Sequence, residues 1–251
     1  KAKISSNVKI GPYSVVGPNV EIDENSQIQS HVSIIGSTRI GKNNKIYPFS
    51  SIGNDPQDLK FNGEKSKLEI GDNNKIREYV TINPGTKGGG GLTKIGNNCL
   101  FMVSSHIAHD CFVGNNCIFS NNSTLAGHVT VGSYVILAGM VAIHQFCSIG
   151  NHAFVAGGSL VRKDIPPFVK AAREPISYVG INSVGLRRRG FDSKVIMEIQ
   201  SIYRILYQKK YNNSQAVKII EGEIKATKER DEIIQFIQNS QRGIMKGYFQ
   251  N

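Results

Sequence analysis

The sequence predicts an all-β parallel solenoid followed by a small α-helical domain, and three observations carry that reading. Aliphatic residues recur every six positions over the first two thirds of the chain. Residues 95–161 hold a single charged side chain, Asp110, where the chain's overall 20% charged content would place about 13. Beyond Gly190 the apolar spacing changes to that of a helix.

Every sixth residue from the start of the repeat is aliphatic: Ile4, Ile10, Val16, Ile22, Ile28, Ile34, Ile40, Ile46 and Ile52. The phase returns at Ile70, Ile76 and Ile82, slips by one, and resumes at Ile95, Phe101 and Ile107, continuing unbroken until Val161. A period of six suits neither an amphipathic helix nor a simple two-sided strand. It suits a parallel β-helix in which each hexad supplies a short strand and a turn, and three hexads close one triangular coil. The position four after each aliphatic is small or β-branched (Ser14, Val20, Ser26, Val32, Thr38, Ser105, Ser123, Val129, Val135), as a narrow interior requires. Cys99, Cys111, Cys117 and Cys147 occupy that same position, which predicts buried structural thiols rather than a zinc site or disulfides. Gly96-Asn97-Asn98, Gly114-Asn115-Asn116 and Gly71-Asp72-Asn73 supply residues that tolerate left-handed turn geometry.

This pattern assigns residues 1–165 to the β-helix, with loop insertions near 53–69 and 83–94. Loops that interrupt a regular solenoid are where function is added. The first contains Asn54-Asp55-Pro56-Gln57-Asp58-Leu59-Lys60; the second contains Gly85-Thr86-Lys87 and four consecutive glycines but no nucleotide P-loop pattern. Pro166, Pro167 and Pro175 end the repeat, and residues 166–190 are read as a connector. In 191–251, Val195, Ile196, Ile199, Ile202, Tyr203 and Leu206 share one helical face behind a cap at Asp192 or Ser193. Shorter helices are expected over 216–224 and 231–237.

The formal charge of +11 points to an anionic partner, and its distribution narrows the choice. Before Ile165 there are 15 basic and 11 acidic residues; after it, 15 and 8. No basic stripe with interleaved aromatics appears, so nucleic acid is not the expected partner. No apolar run approaches the roughly 18 residues of a membrane span, and no secretory leader pattern opens the chain. A soluble cytoplasmic protein without stable membrane insertion is expected. The uncharged stretch predicts packing against other copies of the chain.

Taken modulo the 18-residue coil, His109, His128 and His144 fall on one edge, with His106 nearby and His152 on another face. Two chemistries compete for such an edge. Zinc needs three converging imidazoles with an open fourth position, whereas a general base needs one imidazole, a nearby hydroxyl and an orienting group. Asp110 adjoins His109, but neighbouring strand residues point to opposite faces, so their pairing requires a turn.

The residues Ser105-His106-Ile107-Ala108-His109-Asp110-Cys111, Leu125-Ala126-Gly127-His128, Ile143-His144-Gln145-Phe146, the Asn54 to Lys60 loop and Gly185-Leu186-Arg187-Arg188-Arg189-Gly190-Phe191 together resemble the UDP-N-acetylglucosamine 3-O-acyltransferase family, from the first repeats through the helical tail. The resemblance implies a left-handed β-helix, although right-handed crossovers are the general rule. It implies a homotrimer that transfers an (R)-3-hydroxyacyl chain from acyl carrier protein to the glucosamine 3-hydroxyl of UDP-N-acetylglucosamine, the first step of lipid A biosynthesis. The donor is the phosphopantetheine thioester, and neither a further cofactor nor a metal is implied. His109 is then the general base, Asp110 its orienting group, and the Gly127 backbone N–H the oxyanion donor. Asp58, Lys60, His106 and His128 match residues that position the sugar and acyl groups; His144, Gln145, Asn182, Arg188 and Arg189 match those near the nucleotide. Gly157 matches the position that limits acyl length and implies a chain of about fourteen carbons. Because the chain opens at Lys1, the family's first repeats are expected to precede it. The alternatives are the related N-acyltransferase acting two steps later and a zinc hydrase on the same scaffold.

Overall fold

The computed structural model describes residues 1–209 and 211–247; the last four residues of the expected helical domain lie outside them. Most hexads form a two-residue strand followed by a corner, and the strands stack in register into three parallel sheets. Ile22 pairs with Ile40, Ile40 with Ile70, Ile70 with Ile95 and Ile95 with Val113, so the sixth-residue aliphatics form continuous inward columns. These columns are the core: Ile34, Ile46, Ile52, Ile76, Ile107, Leu125 and Leu137 are all fully buried. In the first coil Ile4 and Ile10 are exposed.

The small inward positions carry a second ladder. Ser26, Asn44, Asn74, Cys99 and Cys117 are buried, and each of the first four accepts the backbone N–H of the next rung: Asn44 N to Ser26 Oγ, Asn74 N to Asn44 Oδ1, Cys99 N to Asn74 Oδ1, Cys117 N to Cys99 Sγ. Buried polar side chains are tolerated here because every rung supplies a partner. All four cysteines are free and buried, and burial pushes the Cys111 thiol up to about 12, which makes it unreactive.

Most corners place one residue at positive φ. Asn73, Asn98 and Asn116 take that position, as the Gly-Asn turns predict, but so do His31, Tyr79, Asp110, His128, Phe146 and His152. Along the corner between the first and second faces, side chains of Asp72, Asn97, Asn115, Ser133 and Asn151 each accept a backbone N–H from the neighbouring rung. That ladder ends on the helical domain, where Asn151 donates to Glu232 at 2.8 Å.

Both interruptions leave the corner between the third and first faces. The strand Ser37–Ile40 pairs with Lys67–Ile70 at an offset of 30 residues, and Lys67–Ile70 with Leu92–Ile95 at 25, where regular rungs differ by 18. The extruded chain is shorter than expected, since Lys67 and Leu92 already belong to the sheet.

Residues 166–190, expected as a connector, are themselves structured. Val169–Ala172 adds to the second face, pairing in parallel with Phe154–Val155, and Ser177–Ile181 turns back antiparallel beside it. Helix α1, Ser183–Arg188, follows, with the Asn182 side chain capping Gly185 N. Helix α2, Ser193–Gln208, starts at the Asp192 cap and buries Ile196, Ile199, Ile202, Tyr203 and Leu206. Helices α3, Asn213–Glu223, and α4, Lys228–Asn239, begin three residues earlier than the apolar pattern predicts, because their polar caps, Asn212 with Gln215 and Thr227, lie outside that pattern. Tyr203 Oη donates to Pro167 O at 2.6 Å, and buried Asp164 accepts from Ser148 N and Ser240 Oγ, which fastens the helices to the last coil. Among the described residues no helix is long and apolar enough to cross a membrane.

The uncharged stretch resolves into an outward apolar stripe. Leu100, Ile118, Ile136 and Phe154 face outward on consecutive rungs of the second sheet. The N-terminal coils instead carry exposed cross-rung ion pairs, Lys3–Glu21 and Lys42–Glu24.

Candidate active site

Three successive corners between the third and first faces bring the histidine edge together. They hold His109 and Asp110, then Gly127 and His128, then His144, Gln145 and Phe146. The turn at Asp110, with φ 58°, breaks the alternation of a strand and lets the two neighbouring side chains meet. His109 Nδ1 donates to Asp110 Oδ2 at 2.8 Å. A carboxylate can only accept here, so the bond places the proton on Nδ1 and leaves Nε2 as the basic nitrogen.

Asp110 is only 2% exposed and is held from the second interruption. Thr86 N donates to Oδ1 at 2.8 Å, Thr86 Oγ1 donates to Oδ2 at 2.6 Å, and the Asp110 backbone N–H donates to Thr93 Oγ1 at 2.8 Å. The glycine-rich loop is thus a structured turn, with one turn of 3₁₀ helix at Lys87–Gly89, rather than a flexible one. Thr86, Thr93 and Gly89 are absent from the sequence reading of the site. Their one signal is that the second interruption falls a single coil before His109.

The stack along the edge differs from the expected column of three histidines. His109 and His128 rings meet edge to face at 5.0 Å, but Phe146, not His144, stacks on His128 at 4.5 Å. Asp110, His128 and Phe146 share the positive-φ corner position, whereas His144 precedes the turn, is exposed, and directs Nδ1 at Gln145 O. His106 lies on the adjacent face with Nδ1 2.6 Å from Thr81 Oγ1. Burial, with a smaller repulsion from His109, lowers its proton affinity and favours the neutral ring.

Gly127 sits beneath His109, its missing Cβ falling 2.4 Å from His109 Cε1. The neighbouring N–H groups donate across the corner, Ala126 to Ile143 O and His128 to His109 O; among the described residues none accepts from Gly127 N. A pocket of about 760 Å³ opens beside these groups, lined by Asp58, Lys60 and Glu64 of the first loop, Thr86 and Lys87 of the second, and His128 and Phe146. The loops are tied together, Lys87 N donating to Glu64 Oε1 and Asn83 Nδ2 to the carbonyls of Asn54 and Asp55.

Four of the expected residues lie elsewhere on the chain. Asn182 spends its amide on Gly185 N and His152 O, at the corner between the first and second faces. Arg189 lies over the Tyr134 ring at 5.4 Å, and among the described residues no acceptor meets its buried Nη1. Arg188 is exposed at the end of α1, and Gly157 abuts Gly139 O on the remaining corner. A single chain therefore does not unite these groups with His109.

His109, Asp110 and His128 bring ligand atoms within 4.8 Å of one another, yet a three-imidazole zinc site needs a third ring there. Both Asp110 oxygens already accept from Thr86, and His109 Nδ1 is spent on Asp110. The donor set suits proton transfer at Nε2 better than metal ligation.

Comparison with known proteins places the chain among acyltransferases. Residues 164–245 match the family model described as UDP N-acetylglucosamine O-acyltransferase, domain 2, and residues 1–36 and 92–127 match the bacterial transferase hexapeptide model. The acyl-[acyl-carrier-protein]–UDP-N-acetylglucosamine O-acyltransferase of Thermodesulfovibrio yellowstonii is 43% identical over 98% of this chain and 95% of its own. The UDP-N-acetylglucosamine acyltransferase structure from Bacteroides fragilis superposes with a TM-score of 0.89 at 45% identity, covering 98% of both chains. That from Francisella novicida gives 0.96 at 41%, covering 99% of this chain and 91% of the other.

Proposed function

The chain belongs to the acyl-[acyl-carrier-protein]–UDP-N-acetylglucosamine O-acyltransferase family, and from that premise we propose how its residues divide the work. Its fold is the left-handed β-helix with a small helical domain, and its activity is acyl transfer from acyl carrier protein to UDP-N-acetylglucosamine, the first step of lipid A biosynthesis.

His109 Nε2 takes the proton of the glucosamine 3-hydroxyl as that oxygen attacks the thioester carbonyl carbon of an (R)-3-hydroxyacyl chain. Asp110 holds the imidazole in the required tautomer and stabilises the imidazolium that forms. The oxygen of the tetrahedral intermediate accepts from Gly127 N–H, where the missing side chain permits close approach. Collapse breaks the carbon–sulfur bond, and the imidazolium returns its proton to the phosphopantetheine thiolate. The products are the 3-O-acyl ester and the free carrier thiol, and no further cofactor or metal enters. Asp58, Lys60, His106 and His128 position sugar and acyl chain. His144 and Gln145 reach toward the nucleotide from this protomer.

Asn182, Arg188, Arg189 and Gly157 lie on other corners, so their contribution to one site requires a second copy. A homotrimer packed through the apolar stripe of Leu100, Ile118, Ile136 and Phe154 supplies it, in a cytoplasmic enzyme whose basic tail meets a pyrophosphate and an acidic carrier. The observation supporting the catalytic assignment is the 2.8 Å His109–Asp110 bond beside a pocket large enough for the sugar. His109→Ala tests it: turnover is lost while the circular dichroism spectrum and melting temperature stay unchanged, and near-normal turnover would refute the general-base role.

A further inference from the structure

We propose that Thr86 is a positioning residue of the acyl transfer, holding Asp110 from the far side of His109 so that the imidazole keeps one orientation and one tautomer. The inference rests on the assignment of His109 as general base and adds the group that fixes its partner.

Asp110 has three donors and all lie within 2.8 Å: Thr86 N on Oδ1, and Thr86 Oγ1 and His109 Nδ1 together on Oδ2. Thr86 therefore supplies two of the three side-chain bonds that hold the group to which the catalytic ring is hydrogen-bonded. Without its hydroxyl, Oδ2 keeps His109 alone and the carboxylate can rotate about its remaining anchor, Thr86 N.

The fit is tight enough to need glycine. A Cβ on Gly89 would fall 2.0 Å from Asp110 Cγ and 2.4 Å from both oxygens, so the loop backbone lies directly against the carboxylate and excludes water from it. The same loop is gripped at Lys87 N by Glu64, a residue of the loop that carries Asp58 and Lys60. Pocket wall and catalytic pair are thus joined through Thr86 and its neighbour.

The experiment compares Thr86→Val, which keeps shape and backbone N–H but removes the hydroxyl, with Thr86→Ser, which keeps the hydroxyl. UDP-N-acetylglucosamine is the acceptor and 3-hydroxytetradecanoyl carrier protein the donor. The valine variant loses kcat by about 10- to 100-fold, the scale of one hydrogen bond to a charged group, with KM for the nucleotide sugar unchanged. The serine variant recovers most of the rate. Gly89→Ala reaches the same contact from the loop side and gives the same loss in kcat, which keeps the test decisive if the valine variant misfolds. Wild-type kcat in Thr86→Val, or a serine variant no better than valine, overturns the proposal. With His109→Ala inactive in parallel, that outcome removes only the role of Thr86; an active His109→Ala removes the general-base assignment and this inference with it.

Discussion

The Cβ that Gly127 lacks would stand 2.4 Å from Cε1 and 2.6 Å from Nε2 of His109, one rung away. No rotation of an alanine methyl relieves such an approach, so the imidazole itself would have to move. Gly127→Ala therefore displaces the base and crowds the N–H assigned to the oxyanion. The expected loss in kcat is about 10²- to 10³-fold, the scale of one oxyanion donor, with the melting temperature little changed. Steady-state kinetics check this; kcat within a factor of about two of wild type would show that the ring and glycine do not act together.

His152 supplies a pH dependence away from the site. Burial between Tyr134 and Phe168, with smaller contributions from Arg189 and Lys228, lowers its pKa from 6.5 to about 4. Between those values the unfolded chain binds a proton that the native ring refuses, so stability falls as pH drops from 6.5 toward 4 and levels off below. His106, also depressed by burial, adds in the same direction. Melting temperatures at pH 7 and pH 4.5 should show a smaller acid-induced drop in His152→Phe, which keeps the ring stack, than in wild type. Equal drops would remove His152 as the cause.

Much of this architecture is legible as spacing. The sixth-residue aliphatics become the inward columns, the cysteines become buried rungs, and the two interruptions become loops at a single corner. What spacing cannot convey is how a corner rotates its side chains. Modular counting places His109, His128 and His144 on one edge, yet only residues differing by whole coils occupy equivalent positions, so His128 stacks on Phe146. Thr86 escapes because its importance is a long-range contact from an extruded loop whose composition suggests flexibility. The helix starts are misjudged for a simpler reason: Asn212 and Thr227 act through polar side chains that an apolar pattern does not register.

Acyl length follows from Gly157 if a second copy presents that corner to the groove. A Cβ there would lie 3.1 Å from Gly139 O, close but not prohibitive, and the family resemblance implies that the bare glycine admits a chain of about fourteen carbons. Competition between ten- and fourteen-carbon hydroxyacyl carrier proteins should favour the longer one, and Gly157→Met should reverse the order. Preference for ten carbons by the unaltered enzyme would contradict this reading.

The acyl transfer and the role of His109 are tested most directly by the mass of the product formed from UDP-N-acetylglucosamine and a mixture of hydroxyacyl carrier proteins. One hydroxyacyl chain in ester linkage at the glucosamine 3-oxygen is expected, formed by the unaltered enzyme and not by His109→Ala. An unacylated nucleotide sugar, or equal product from both proteins, would contradict it.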